Sequence, residues 1–459
     1  MPSAGAYAVW AVLAGVAAAA LAARARRPAA WQIAALTLTA AASIVAFVFV
    51  SWGRATPFGD FNKAYYHAGS VILTAPSRLY ACDVSNLCFV SVPVVAVLFA
   101  PLALVGRTAA QIAFAIAGAA AVAATVWLTM QEAPEGSLRR VAVPLLFAFN
   151  GPLLYSARLG NITHLMLPFV MLASLWLIRR REWRAGALLG TLAVLKPPLL
   201  LFLPYLLLRR RLRAAAALCL TIGALAIVSV TWFGIELHQQ WLTQFLGPFA
   251  VRPVGAYNVQ SIAGLLAHFV YPGRLTDWVP IDVPAGFRLV SSIAVAAIVL
   301  STVALLVAAA PPATPSAHWT EVSIVVVVSL LASPLTWTHY YAFCLIPLTQ
   351  CVAGTLVVRE ARTRVAVAIA CVLVSAPVVL ALPGRPWLQM LTARVLISHY
   401  AVGGIVLWGA LCAVGARSLR TARGTDGPGR SGRSEGILAR GGSRSVKDLD
   451  SYDVALYPF

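Results

Sequence analysis

The sequence predicts an all-α polytopic membrane protein, a helical bundle of about 11–13 transmembrane helices. Three observations carry that reading. Hydrophobic residues fill 60% of the 459 positions and charged ones only 11%, with a mean hydropathy of +0.83. Apolar stretches long enough to cross a ~30 Å hydrocarbon core recur along the chain. These stretches are continuous rather than alternating, which excludes a barrel and leaves helices as the way to satisfy the backbone without water.

The net charge of +20 does not point to nucleic acid. The arginines gather between apolar runs, at Arg24, Arg26 and Arg27, at Arg179, Arg180, Arg181 and Arg184, at Arg209, Arg210, Arg211 and Arg213, and at Arg359, Arg362 and Arg364. Basic turns between spans are the positive-inside pattern, and no soluble recognition module accompanies them. Membrane lipids are therefore expected partners and nucleic acid is not. The N-terminus lacks a basic leader and a small-residue cleavage site, so residues 6–23 read as a retained helix.

Taking those arginine clusters as cytoplasmic, residues 6–23 run inward and 29–51 run back out, which places Asp60 on the extracytoplasmic side. Residues 108–130 form a span, whereas 90–106, interrupted by Pro93 and Pro101, read as a short or re-entrant segment. Spans follow near 141–157, 162–178, 185–196, 197–208 and 214–233. The segments 185–196 and 197–208 are too short to cross unaided and are expected to meet as a hairpin at Pro197-Pro198. A long outer loop covers about 234–285, and further spans lie near 286–310, 319–333, 339–357, 365–383 and 395–415. The chain thus divides into a membrane domain, 1–415, with an outer loop at about 52–91 that holds Asp60, and a Gly-, Ser- and Arg-rich cytoplasmic tail, 416–459, expected to be disordered. No internal repeat is evident.

Carboxylates are few. On the predicted outer face they reduce to Asp60, Asp83, Glu236, Asp277 and Asp282. Turn chemistry accounts for Asp83, Asp277 and Asp282. Asp60 alone is flanked by aromatics, Phe58, Phe61, Tyr65 and Tyr66, beside a helix exit, and stands out as a catalytic candidate against the plain alternatives of a solvated acid or a helix cap. The same threading gathers Lys63, His67, Arg158, Asn161, His164, Lys196, Asn258, Gln260, His339 and Tyr340 at that face. Polar groups at membrane depth are costly, so a convergent set marks a site. Lys196, in Leu-Lys-Pro-Pro, reads either as a snorkelling helix end or as a phosphate contact. His339, beside Trp and Tyr, reads either as interfacial belt or as a substrate contact.

Five of the seven cysteines lie in apolar runs as packing residues. Cys82 and Cys88 bracket a polar loop and form either a short disulfide on an oxidising face or two free thiols. No metal-ligand motif, Walker loop or Rossmann fingerprint occurs, so no metal or nucleotide cofactor is expected.

Five motifs taken in order resemble glycosyltransferase family 87. They are Gly-Asp-Phe-x-x-x-Tyr-Tyr-x-Ala at 59–68 with Leu79-Tyr80, Arg158-Leu-Gly-Asn161, Leu195-Lys-Pro-Pro198 followed by the Arg209 cluster, Asn258-Val-Gln-Ser261 with Gly264, and Ser333-Pro-Leu-Thr-Trp-Thr-His339. The resemblance spans residues 52 to about 350. It implies a GT-C fold and a polyprenyl-phosphate-sugar-dependent transferase, the group that includes α-1,2-mannosyltransferases of phosphatidylinositol mannoside and lipoarabinomannan synthesis. Under it, Asp60 matches the catalytic aspartate and acts as general base in an inverting transfer, and His339 matches a histidine near the acceptor. Lys196, Arg158, Asn161, Tyr65, Asn258 and Gln260 become donor-phosphate or substrate contacts. The expected partners are a polyprenyl-phosphate-linked sugar, mannose by preference, and a glycolipid or polysaccharide acceptor at the outer face of the plasma membrane. The chain departs from the family pattern at Asn161, where Gln is usual, at Ser91-Val92-Pro93, where Tyr-Pro-Pro is usual, and at Tyr340, often a second His. The competing expectation is a secondary transporter, which the polar groups' placement at one face, rather than at the midplane, disfavours.

Overall fold

The computed structural model describes residues 9–16, 38, 40–45, 57–81, 89–133, 138–377 and 385–425. Helix dominates, and the described residues contain no strand, only one isolated antiparallel bridge between Val259 and Trp337. Among the described residues five helices are long and apolar enough to cross a membrane: Arg107–Gln131, Leu212–Val251, Ala285–Ala308, Pro315–Ala332 and Pro386–Arg417. Thr163–Ile178 and Pro197–Leu208 are shorter apolar helices. The chain is a polytopic helical membrane protein. It divides into two units, Met1–Arg420 and Thr421–Phe459.

The predicted span at 141–157 arrives broken, whereas the interruptions expected within 90–106 and before Pro197-Pro198 are present. The stretch 141–157 is two helices, Leu138–Ala148 and Gly151–Leu159. Asn150 starts the second by accepting the Leu153 N–H at 2.9 Å, with Pro152 in its first turn. Residues 90–106 form two short helices, Pro93–Val97 and Ala100–Ala103, neither able to cross a bilayer. The chain breaks after Glu182–Leu195 at extended Lys196, then resumes as a 3-10 turn, Pro197–Leu201, and a helix, Phe202–Leu208.

The expected outer loop at 234–285 is instead largely helical. Leu212–Trp241 continues through Gly234, whose φ of +76° bends it, and His238 stitches the bend with bonds to the Gly234 carbonyl at 2.7 Å and Ser229 Oγ at 2.8 Å. A π-turn, Leu242–Leu246, and two more helices, Gly247–Val251 and Ile262–Val270, follow. The tail expectation also shifts, because the helix His399–Thr425 runs ten residues beyond 415. The remaining tail, together with Cys82 and Cys88, lies outside the described residues.

The arginine turns share one geometry thirty residues apart. Arg180 and Arg210 both take left-handed φ, 58° and 52°. In each turn the third arginine's N–H returns to a carbonyl five residues back, Arg181 to Trp176 and Arg211 to Leu206, both at 2.8 Å. The two following helices can then pack together: a Cβ on Gly186 would lie 2.1 Å from the Ala214 carbonyl oxygen, so only glycine permits that approach.

Candidate active site

Asp60 is placed by the turn that ends Gly151–Leu159. Gly160 adopts φ +66°, and a Cβ there would sit 2.6 Å from Phe61 Cβ and 2.8 Å from Phe58 Cδ1. Phe58 donates its N–H to the Arg158 carbonyl at 2.7 Å. The bare glycine thus lets the Phe58 to Phe61 segment lie against this turn, which sets Asp60 beside Asn161. Asp60 begins a helical stretch that continues as a π-turn, Phe61–Tyr66, yet its side chain makes no capping bond. It is directed elsewhere.

The Asn161 amide bridges two opposite charges. Its Nδ2 donates to Asp60 Oδ2 at 2.9 Å, and its Oδ1 accepts from Lys196 Nζ at 3.3 Å. Lys196 is 4% exposed and stands 4.0 Å over the Tyr340 ring, a cation–π contact, so it does not snorkel. Burial pushes the Asp60 carboxyl above the usual carboxylate range, opposed by the Asn161 bond and by the charges of Lys196 and Lys63.

These groups line one cavity of about 760 Å³. Asp60, Tyr65, Arg158, Asn161, Lys196, Asn258 and His339 all face it, together with Tyr340. His339 packs 5.0 Å from Tyr340 and 6.4 Å from Tyr155, ring to ring, and among the described residues neither of its ring nitrogens has a hydrogen-bond partner. Leu195, Leu200, Phe245, Leu246 and Phe249 supply an apolar wall. Among the described residues no three His, Cys, Asp or Glu side chains converge as metal ligands would.

Four of the residues predicted for this face lie elsewhere. Gln260 is fully buried and holds the loops instead, its Nε2 donating to the Tyr257 and Ile397 carbonyls at 2.8 Å each. That corrects its assignment as a substrate contact: an amide able to tie two backbone segments is consumed by them. His164 pairs with Ser156 Oγ at 2.9 Å outside the cavity, and Lys63 and His67 do not line it. Conversely, Tyr155, Tyr257, Trp278 and Trp337 line the cavity and were missed. Tyr155 and Tyr257 share a hydroxyl bond at 3.0 Å, and Trp278 Nε1 donates to Asn258 Oδ1 at 2.9 Å. Tyr155 sits one helical turn before Arg158, a spacing that puts both on one face, and that signal was legible. Trp278 carried none, since it arrives through a loop.

Comparison with curated proteins gave no match. The sequence pattern of glycosyltransferase family 87 matches residues 89–334. The matched region contains Arg158, Asn161, Lys196 and Asn258 and stops short of both Asp60 and His339, which the fold brings into the same cavity. With more than half of its length matched, the chain belongs to glycosyltransferase family 87 and is a membrane glycosyltransferase.

Proposed function

We propose that the protein moves a sugar, with mannose the preferred candidate, from a polyprenyl-phosphate donor to a hydroxyl of a glycolipid or polysaccharide at the extracytoplasmic face. The observation that carries this reading is a carboxylate and an ammonium held across one amide in a cavity that has a cationic floor and an apolar wall. Asp60 takes the proton of the acceptor hydroxyl as that oxygen bonds to the anomeric carbon. The bond from the anomeric carbon to the phosphate oxygen breaks, and the phosphate leaves with the electron pair. Lys196 and Arg158 stabilise the charge that develops there. One displacement inverts the anomeric centre. The apolar wall suits the first isoprene units of the donor, and His339, whose nitrogens have no hydrogen-bond partner among the described residues, suits a sugar or acceptor hydroxyl.

The test is reconstitution of the purified protein in lipid with a polyprenyl-phosphate sugar and a glycolipid fraction, with product detected by mass spectrometry. Donor-dependent, inverted product is expected, and its absence across polyprenyl-phosphate sugars would overturn the donor assignment. The side of the membrane is tested separately by cysteine labelling. Positions 179–184 should be shielded from an impermeant outer reagent and positions 272–280 labelled. The reverse pattern would put the cavity on the cytoplasmic side.

A further inference from the structure

Asn161 bridges Asp60 and Lys196, and a residue outside the cavity lining, Thr163, also holds its amide. Its Oδ1 accepts three donors: Thr163 Oγ1 at 2.9 Å, Thr163 N at 3.2 Å and Lys196 Nζ at 3.3 Å. The backbone N–H and the ammonium can only donate. Turning the amide over would set its NH2 against both of them and its oxygen against the Asp60 carboxylate. The arrangement therefore admits one amide orientation, with the NH2 on Asp60 Oδ2. Asp60 Oδ1 is left as the carboxylate oxygen without a hydrogen-bond partner among the described residues.

We propose that Thr163 is a positioning residue for transfer: its hydroxyl makes the shortest of the three bonds that hold the Asn161 amide oxygen, keeping the amide against Asp60 Oδ2 so that Oδ1 receives the acceptor's proton. This rests on the reading of Asp60 as the base. That hold does two things. It fixes which edge of the carboxylate meets the acceptor, and it stabilises the ionised form that a buried base needs. Thr163 is the first residue of the helix Thr163–Ile178, whose cap position is Ile162, and its hydroxyl donates to Asn161.

The pH dependence of transfer follows from the groups around Asp60. Lys63 acts on it from its own helical stretch and Lys196 from across the cavity. The hydroxyls of Tyr65, Tyr155, Tyr257 and Tyr340 face it as neutral groups, and Arg158 and His339 line the same cavity. None of these is altered by substituting Thr163.

The experiment compares Thr163→Val, Thr163→Ser, Asn161→Ala and the double variant Thr163→Val/Asn161→Ala, following kcat and KM against pH in the reconstituted enzyme. Thr163→Val is isosteric and retains the backbone N–H. It should move the acid limb of the rate up by about one pH unit and lower kcat about tenfold below that limb, with donor KM little changed. Thr163→Ser should restore the parental limb. On the Asn161→Ala background, Thr163→Val should add nothing. An unmoved limb in Thr163→Val, or a full additional loss in the double variant, would overturn the proposal. Asp60→Asn run beside them separates the two ideas: if it still turns over, the base assignment fails, and if it is inactive while Thr163→Val keeps the parental limb, only the positioning role fails.

Discussion

Two polar clusters occupy opposite ends of the same pair of helical segments. Near Lys196 and Ser333, where Pro197–Leu201 begins and Pro315–Ala332 ends, lie Asp60, Asn161, Lys196 and His339 around the cavity. At the far end, Arg209 forms a bidentate pair with Glu321, bonding Oε2 through Nε at 2.9 Å and Oε1 through Nη2. Tyr205 adds a bond to Glu321 Oε2 at 3.2 Å, and Arg209 Nη1 reaches the Ala309 carbonyl at 3.1 Å. Arg211 reaches the Leu177 carbonyl at 2.5 Å and His318 Nδ1 at 3.2 Å. In the second cluster the charged donors and acceptors answer one another. In the first, among the described residues, both nitrogens of the buried His339 are left without hydrogen-bond partners, and His339 lines the open cavity. Charge burial alone does not mark a site. Incomplete satisfaction beside a cavity does, because a protein leaves such groups unpaired at a cost of roughly 1–3 kcal/mol each.

The comparison breaks if the paired cluster proves catalytic or the open one proves dispensable. Glu321→Ala leaves Arg209 buried without its counter-charge and should cost about 3–5 kcal/mol of stability, read as a lowered Tm in detergent, with turnover per folded molecule unchanged. A turnover loss that exceeds the folded fraction would move catalysis toward that end. Asp60→Asn should do the opposite, cutting transfer roughly 10²-fold or more, about 3 kcal/mol of barrier, while the protein stays folded. Near-normal turnover there would sink the mechanism.

Lys196→Ala is expected to weaken donor binding about tenfold, with Lys196→Arg recovering part of it because a guanidinium keeps the charge but changes the geometry. Direct binding of a polyprenyl-phosphate sugar measures this, and parental affinity in the alanine variant would shift the phosphate contact to Arg158. The smallest effect sharpens the electrostatics. Burial holds the Asp60 carboxyl above the ordinary range, and a base works only when ionised. Transfer should therefore rise with pH along a limb displaced above the usual carboxylate value, and a limb at or below that value would show Asp60 better solvated than its surroundings imply.

Much of the first cluster was legible because membrane burial makes polar residues scarce and therefore informative. Asp60, Lys196, Asn161, Arg158 and His339 stood out as ionisable or amide groups near span ends, and all five line the cavity. Gln260 stood out by the same logic and was misplaced, since composition cannot tell an amide facing substrate from one spent on the Tyr257 and Ile397 carbonyls. In the sequence the arginine clusters mark the cytoplasmic side, and the Arg209 cluster also belongs to one family motif. Arg209 and Arg211 are also internal struts, a role set by partners more than a hundred residues away, Glu321 and His318.

The sequence by itself determined the all-helical membrane class, the family and the short set of groups able to do chemistry, because hydropathy, positive charge at turns and the rarity of carboxylates are properties of composition and order along the chain. Tertiary structure decided which of those groups meet. Asp60 and Asn161 are a hundred residues apart in the chain, and they touch only because Gly160 turns left-handed beneath Phe58 and Phe61. Tertiary structure also decided that the predicted span 141–157 breaks at Asn150, whose side chain caps a new helix, and that helix continues beyond the bend at Gly234.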